Sequence, residues 1–98
     1  MKPIELALAE VSKAVTKFPT WPTDPIHAAA VLNEEVGELN KAVLQAVYEP
    51  HKSGPQDVRD EAIQVAAMAL RFLASLDRYD YVEGEQHDQP FNSVADAA

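Results

Sequence analysis

The chain has 98 residues and no cysteine, which suits one small domain and excludes disulfide and thiolate chemistry. Its hydrophobic content of 47% predicts a folded chain, and its net charge of −8 disfavours a DNA or RNA partner, which needs a basic surface. No apolar run approaches the roughly 20 residues that span a bilayer, and no signal peptide is visible, so we expect a cytoplasmic protein.

The first predicted helix carries one apolar stripe, whose residues recur at steps of three and four: Ile4, Leu8, Val11, Val15 and Phe18. Pro19 and Pro22 then end it and give a stiff connector. The second helix should begin with Asp24 as N-cap and Pro25 at its first position, and should run to about Tyr48.

A third helix is predicted from Gln56 to about Tyr79, and its apolar residues surround most of the helix axis. Two partner helices can hardly cover such an element, so we expect a second chain to complete the bundle. No strand pattern is visible. The sequence therefore predicts an all-α domain over residues 1–82 and a polar tail over residues 83–98.

Two acid clusters interrupt the apolar patterns of the second and third helices. On the second, Glu35 and Glu38 lie one turn apart at the edge of the apolar face, with Glu34 rotated further outward. On the third, Glu61 heads a polar strip that includes Asp60. Such carboxylates repel one another unless a cation joins them, and oxygen ligands suit Mg²⁺ or Mn²⁺. This pattern indicates metal-assisted attack of water on a phosphate ester or anhydride.

The alternative is a plain one, because acid clusters on helices are usually solvated faces. Asp57 and Asp60 would then simply favour the positive end of the third helix dipole. In that case the protein is a structural helical dimer whose acids face solvent.

The sequence EEVGEL at residues 34–39, followed by a second acid-bearing apolar helix, resembles the MazG-like all-alpha nucleoside triphosphate pyrophosphohydrolases. Their pattern is Glu-Glu-x-x-Glu on one helix and Glu-x-x-Asp on the next, and the resemblance covers roughly residues 24–80. It implies a helical bundle assembled as a homodimer or homotetramer. It also implies Mg²⁺-dependent hydrolysis of a nucleoside triphosphate to monophosphate and pyrophosphate.

Carried over by motif position, the resemblance makes Glu35, Glu38 and Glu61 metal ligands, and Glu34 a ligand or the group that orients the attacking water. Gln64 stands where the pattern has Asp. An amide oxygen still binds Mg²⁺, but it carries no charge and binds more weakly. Either Asp60 substitutes for the missing carboxylate, or the chain is a nucleotide- or metal-binding module with weakened or no catalysis.

Three further residues are candidates for substrate binding, each with a plainer alternative. Arg71 would hold a phosphate, or else neutralise Asp60 or Glu61 or join two subunits. Lys52 would contact a phosphate from the loop after the second helix, where exposed lysines are common. Trp21 would stack on a base, or else anchor the connector in the core.

Overall fold

A computed structural model describes residues 1–81 of the chain, so the polar tail predicted at residues 83–98 lies outside the described residues. Three α-helices and one short 3₁₀ turn follow one another: α1 (Pro3–Lys17), α2 (Pro25–Tyr48), α3 (Pro55–Ala74) and the 3₁₀ turn (Leu76–Arg78). Residues 1–81 contain no strand. The predicted all-α class is confirmed.

Each α-helix begins with a proline, whose missing N–H costs nothing at a first helical position. A carboxylate close to each start satisfies one free backbone N–H. Glu5 accepts from the Lys2 amide at 2.8 Å, Asp24 from the Ile26 amide at 2.9 Å, and Asp57 from the Gly54 amide at 2.9 Å. The start predicted for α2 is therefore confirmed, with its N-cap.

The end of α3 differs from the prediction of a helix that runs to about Tyr79. The helix ends at Ala74, and the 3₁₀ turn reverses the chain so that the Tyr79 hydroxyl donates to the Phe72 carbonyl at 2.9 Å. The two rings lie 5.0 Å apart between centroids. A continued helix would separate these positions by about 10 Å along its axis. The packing and hydrogen bonding of Tyr79 thus stabilise the turn by more than a continued helix would.

Helix α3 is the centre of the fold. Both α1 and α2 pack against it, and within the described residues α1 and α2 do not pack against each other. The buried positions in these contacts are mostly small, such as Ala7, Ala28, Ala42 and Ala67, which lets the helix backbones approach. Because α1 and α2 flank α3 without meeting, a cleft is left between them.

The connector between α1 and α2 is held by polar contacts from distant parts of the chain. Arg71 is buried, and its Nη2 donates to the carbonyls of Phe18 and Thr20 at 3.0 and 3.4 Å. Its guanidinium also lies over the Trp21 ring, 4.8 Å from the centroid. The Trp21 indole N–H donates to the Tyr79 hydroxyl at 2.9 Å. One buried cation and one buried tyrosine thus fix the connector on α3.

Many large apolar side chains are left uncovered. No large side chain among residues 1–81 is fully buried, and the exposed fraction reaches 61% for Leu73, 64% for Val47 and 80% for Ile26. The exposed set lies on all three helices. No helix in the described part of the chain is long and apolar enough to cross a membrane.

The Tyr79 hydroxyl should contribute measurably to stability. We expect Tyr79→Phe to lower the free energy of unfolding by about 1–3 kcal/mol, because the Trp21 N–H loses its acceptor and the Phe72 carbonyl loses a donor. Chemical denaturation measures this loss. Tyr48→Phe is the matched control: that side chain is 78% exposed, and its replacement should change stability by less than about 0.5 kcal/mol. Equal effects of the two substitutions would contradict the role given to Tyr79.

Candidate functional site

The cleft between α1 and α2 has a volume of about 490 Å³ and is floored by α3. Its lining comes from α1 (Glu10, Lys13, Ala14, Lys17), the connector (Phe18, Thr20, Trp21, Pro22), α2 (Val31, Glu35) and α3 (Gln64, Met68, Arg71). Cationic, anionic, amide and aromatic side chains therefore share one cavity, as they do in sites for polar ligands.

Helical spacing explains why these side chains converge. Lys13 and Lys17 on α1 are four residues apart, so they lie on one face, one turn from each other. On α3, Gln64 and Met68 are also four residues apart, and Arg71 follows after three more. Each helix thus presents a single narrow face to the cleft.

Glu35 is the acidic group that lines the cleft from α2. Burial raises the pKa of its carboxyl, and the negative charges of Glu61, Glu34 and Glu38 raise that pKa further. Helices α2 and α3 pack against each other, and of the three charges that of Glu61 on α3 raises the pKa of Glu35 most. Glu61 itself does not line the cleft. The two predicted acid clusters therefore lie on two helices that pack against each other.

The other predicted acids are more open to solvent. Glu61 is half-buried, while Glu34 and Glu38 are exposed on α2. Gln64 lines the same cleft as Glu35. Asp60 is exposed and bonded to side chains of its own helix, accepting from the Gln56 amide at 2.8 Å and lying 3.8 Å from the Arg59 guanidinium.

The candidates for substrate binding separate into two groups. Trp21 and Arg71 line the cleft with Glu35 and Gln64. Lys52 does not line it, and its ammonium pairs with the Glu49 carboxylate at 3.0 Å in the loop after α2.

One alternative for Arg71 is wrong. Within residues 1–81 Arg71 forms no ion pair with Asp60 or Glu61, because its guanidinium is turned toward the connector carbonyls and the Trp21 ring instead.

The carboxylates do not form a ready-made metal cage. The described part of the chain holds no group of three or more His, Cys, Asp or Glu side chains that could hold a metal ion. What it does hold is the Glu35–Glu61 pair, two carboxylates on the packed helices α2 and α3, of which Glu35 lines the cleft. Mg²⁺ keeps several waters and typically binds one or two protein carboxylates together with substrate phosphates. One or two carboxylates of this kind suit a cation that is also bound by a phosphate ligand.

Three residues of this region carry no prediction from the sequence: Lys13, Lys17 and Tyr79. The four-residue spacing of the two lysines, on the polar side of the α1 stripe, is a signal that they share a face. It does not show that this face borders the acids of α2. Tyr79 gives no local signal, because its partner Trp21 is 58 residues away in the chain.

No known protein family, curated protein or solved structure matches the chain when it is compared with them. The likeness to MazG-like enzymes therefore rests on the residues of the two acid clusters.

The raised pKa of Glu35 predicts a dependence of stability on pH. Because its pKa is higher in the folded than in the unfolded chain, ionised Glu35 destabilises the fold at pH values above the folded pKa. That destabilisation disappears at pH values below the pKa that Glu35 has in the unfolded chain. We therefore expect Glu35→Gln to raise the melting temperature at about pH 7 and to lose this advantage as the pH falls toward about 4.

The control for this measurement is Asp77→Asn, which removes one negative charge at an exposed position on the 3₁₀ turn. It should not reproduce the pH-dependent gain. If Glu35→Gln has the melting temperature of the parent protein at every pH, Glu35 is not surrounded by the buried, acid-rich environment described here.

Proposed function

We propose that the protein is a Mg²⁺-dependent nucleoside triphosphate pyrophosphohydrolase, which releases a nucleoside monophosphate and pyrophosphate. The observation that carries this proposal is Glu35, a carboxylate that lines a polar cleft on α2, packed against the helix that bears Glu61. Burial raises the pKa of Glu35, and the negative charge of Glu61 raises it further. Like charges brought together at the edge of a cleft destabilise the free protein. They are retained at functional sites where a cationic ligand compensates them.

Each residue of the acid clusters has a role in this proposal. Glu35 and Glu61 bind the cation that accompanies the substrate phosphates, and Gln64 offers a neutral oxygen from the cleft floor. Glu38 and Glu34 are exposed on α2 and do not form a three-carboxylate group with Glu35 in the free protein. In this proposal they join the site when metal-bound substrate is present, Glu38 as a further ligand and Glu34 as a ligand or the group that orients the attacking water. When bound, Mg²⁺ neutralises charge on the phosphates and makes the phosphorus open to attack by water.

The connector would contact the base of the substrate, away from the acids. Trp21 lines the cleft with its ring fixed by Arg71 on one side and by the Tyr79 hydroxyl at its N–H, so it offers a rigid aromatic surface for a nucleobase. Arg71 lines the same cavity and orients Trp21, and this makes its main role one of positioning.

We also propose that the working form is a homodimer or homotetramer. The support is the apolar surface left open in one chain, which includes Leu44 at 58% and Leu8 at 54% exposure. Large apolar side chains left exposed in this number favour an interface with a second chain. Light scattering at micromolar concentration should give a multiple of the 10.7 kDa chain mass, and a monomer mass would contradict the proposal.

A second function is favoured by one residue. Gln64 lies in the cleft where a carboxylate would strengthen cation binding, which fits a module that binds nucleotide or metal with little turnover. The two functions differ in an assay: a binding module would bind Mg²⁺-nucleotide without releasing pyrophosphate.

The decisive test is pyrophosphate release from a panel of nucleoside triphosphates, with and without Mg²⁺. We expect release that depends on Mg²⁺, and we expect Glu61→Gln and Glu38→Gln each to lower it by at least about 100-fold, as loss of one catalytic electrostatic contact commonly does. Each substitution keeps the shape of the side chain and removes one negative charge, so circular dichroism should show unchanged helix content.

Glu49→Gln serves as the control, because Glu49 is paired with Lys52 outside the cleft and should tolerate the change. Turnover by Glu61→Gln at the parental rate would show that the acid clusters are not the site. No turnover of any nucleotide by the parent protein, together with binding of Mg²⁺-nucleotide, would favour the binding module.

A further inference from the structure

Helix α1 contributes positive charge to a cleft whose other side is acidic. The whole chain has only eight Lys and Arg residues against sixteen Asp and Glu. Three of those eight, Lys13, Lys17 and Arg71, line this one cavity, together with two carboxylates, Glu10 and Glu35. The cleft lining therefore carries a positive excess in a protein of net charge −8.

The three cations are not equally available to a ligand. Arg71 is buried and bonded to two connector carbonyls. Lys17 takes part in no ion pair among residues 1–81, and its ammonium lies 5.4 Å from the centroid of the Phe18 ring, at the connector end of the cleft. Among residues 1–81 the Lys13 ammonium pairs with the Glu10 carboxylate at 3.7 Å; the Lys13 side chain is 80% exposed and that of Glu10 is 18% exposed. The long pair distance and the exposed lysine leave the ammonium able to turn toward a phosphate oxygen.

We propose that Lys13 and Lys17 form an anion-binding wall that holds the polyphosphate of the substrate from the α1 side of the cleft. This inference rests on the proposed function and adds the side of the site that the acid clusters do not explain. A nucleoside triphosphate carries more negative charge than one Mg²⁺ neutralises, and the acids of α2 and α3 repel the remainder. Two lysines one turn apart supply that missing charge as mobile donors to phosphate oxygens.

The wall also accounts for how an anion approaches this protein. A net charge of −8 repels a polyphosphate at long range, and the two lysines weaken that repulsion on the α1 side of the cleft. The phosphates would lie between the α1 lysines and the Glu35–Glu61 pair, with the base toward Trp21 at the connector. Ligand orientation in the cleft thus follows from the positions of charge and aromatic surface.

The test measures binding and turnover separately. The probes are Mg²⁺ complexes of α,β-imido nucleoside triphosphates with each common base, and Mg²⁺-tripolyphosphate, which has no base. Isothermal titration gives their affinities for the parent, for Lys13→Ala, for Lys17→Ala and for the double variant. Pyrophosphate release from the hydrolysable nucleotides gives KM and kcat for the same proteins.

We expect each lysine substitution to weaken binding of the imido nucleotides and of tripolyphosphate by about tenfold, as loss of one charge-assisted hydrogen bond does. KM should rise in parallel, with kcat less affected. Lys41→Ala is the matched control, because it removes the same charge from an exposed position of α2 that does not line the cleft. It should change affinity by less than about twofold, which corrects for any effect of net charge.

The outcomes separate this inference from the proposed function. Weaker binding in the lysine variants with no turnover in the parent supports the α1 wall and contradicts the hydrolase. Turnover in the parent with lysine variants that behave as Lys41→Ala overturns the wall and leaves the hydrolase standing. A parent that binds neither imido nucleotides nor tripolyphosphate overturns both.

Discussion

The buried guanidinium of Arg71 is the contact on which the architecture of this protein depends. It reaches from α3 to the connector, donates to the Phe18 and Thr20 carbonyls, and lies over the Trp21 ring. A buried charge is tolerated only where it is satisfied, and here backbone carbonyls and an aromatic face provide that satisfaction. The connector is thereby fixed on α3, and its path sets where α1 ends and α2 begins. The cleft exists because these two helices flank α3 without packing on each other.

The cleft combines two opposite electrostatic arrangements. On the α2–α3 side, burial and three neighbouring carboxylates raise the pKa of Glu35, so the ionised site is under strain in the free protein. On the α1 side, Lys13 and Lys17 supply cations in a protein that has few of them. A ligand that is itself both cationic and anionic, such as a metal-bound polyphosphate, would complement both sides at once. This complementarity links the proposed hydrolase to the proposed anion-binding wall.

The sequence predicts what is local and misses what depends on distant partners. The start of α2 follows from Asp24 and Pro25, because capping and proline preference act within a few residues. Angular position on α2 places Glu35 at the edge of the apolar face, and Glu35 lines the cleft. Its electrostatic coupling to Glu61 depends on how α2 and α3 pack, which spacing within one helix does not show. Periodicity predicts an α3 that runs to about Tyr79, but the helix ends at Ala74, because Tyr79 turns back to meet Trp21 from the other half of the chain. Nothing in the sequence indicates that Lys13 and Lys17 line the cleft with Glu35, because only the packing of α1 on α3 brings them there.

The most direct test of the central claim is the location of the cation. Crystals grown with Mn²⁺ and an α,β-imido nucleotide give an anomalous-scattering map, in which each bound Mn²⁺ is a separate peak. The account predicts a peak in the cleft, bonded to carboxylate oxygens of Glu35 and Glu61 at about 2.2 Å and to phosphate oxygens of the nucleotide. A cleft without a peak, or Mn²⁺ bound only at exposed acids such as Asp77, would contradict the claim that the two acid clusters form a metal-dependent site.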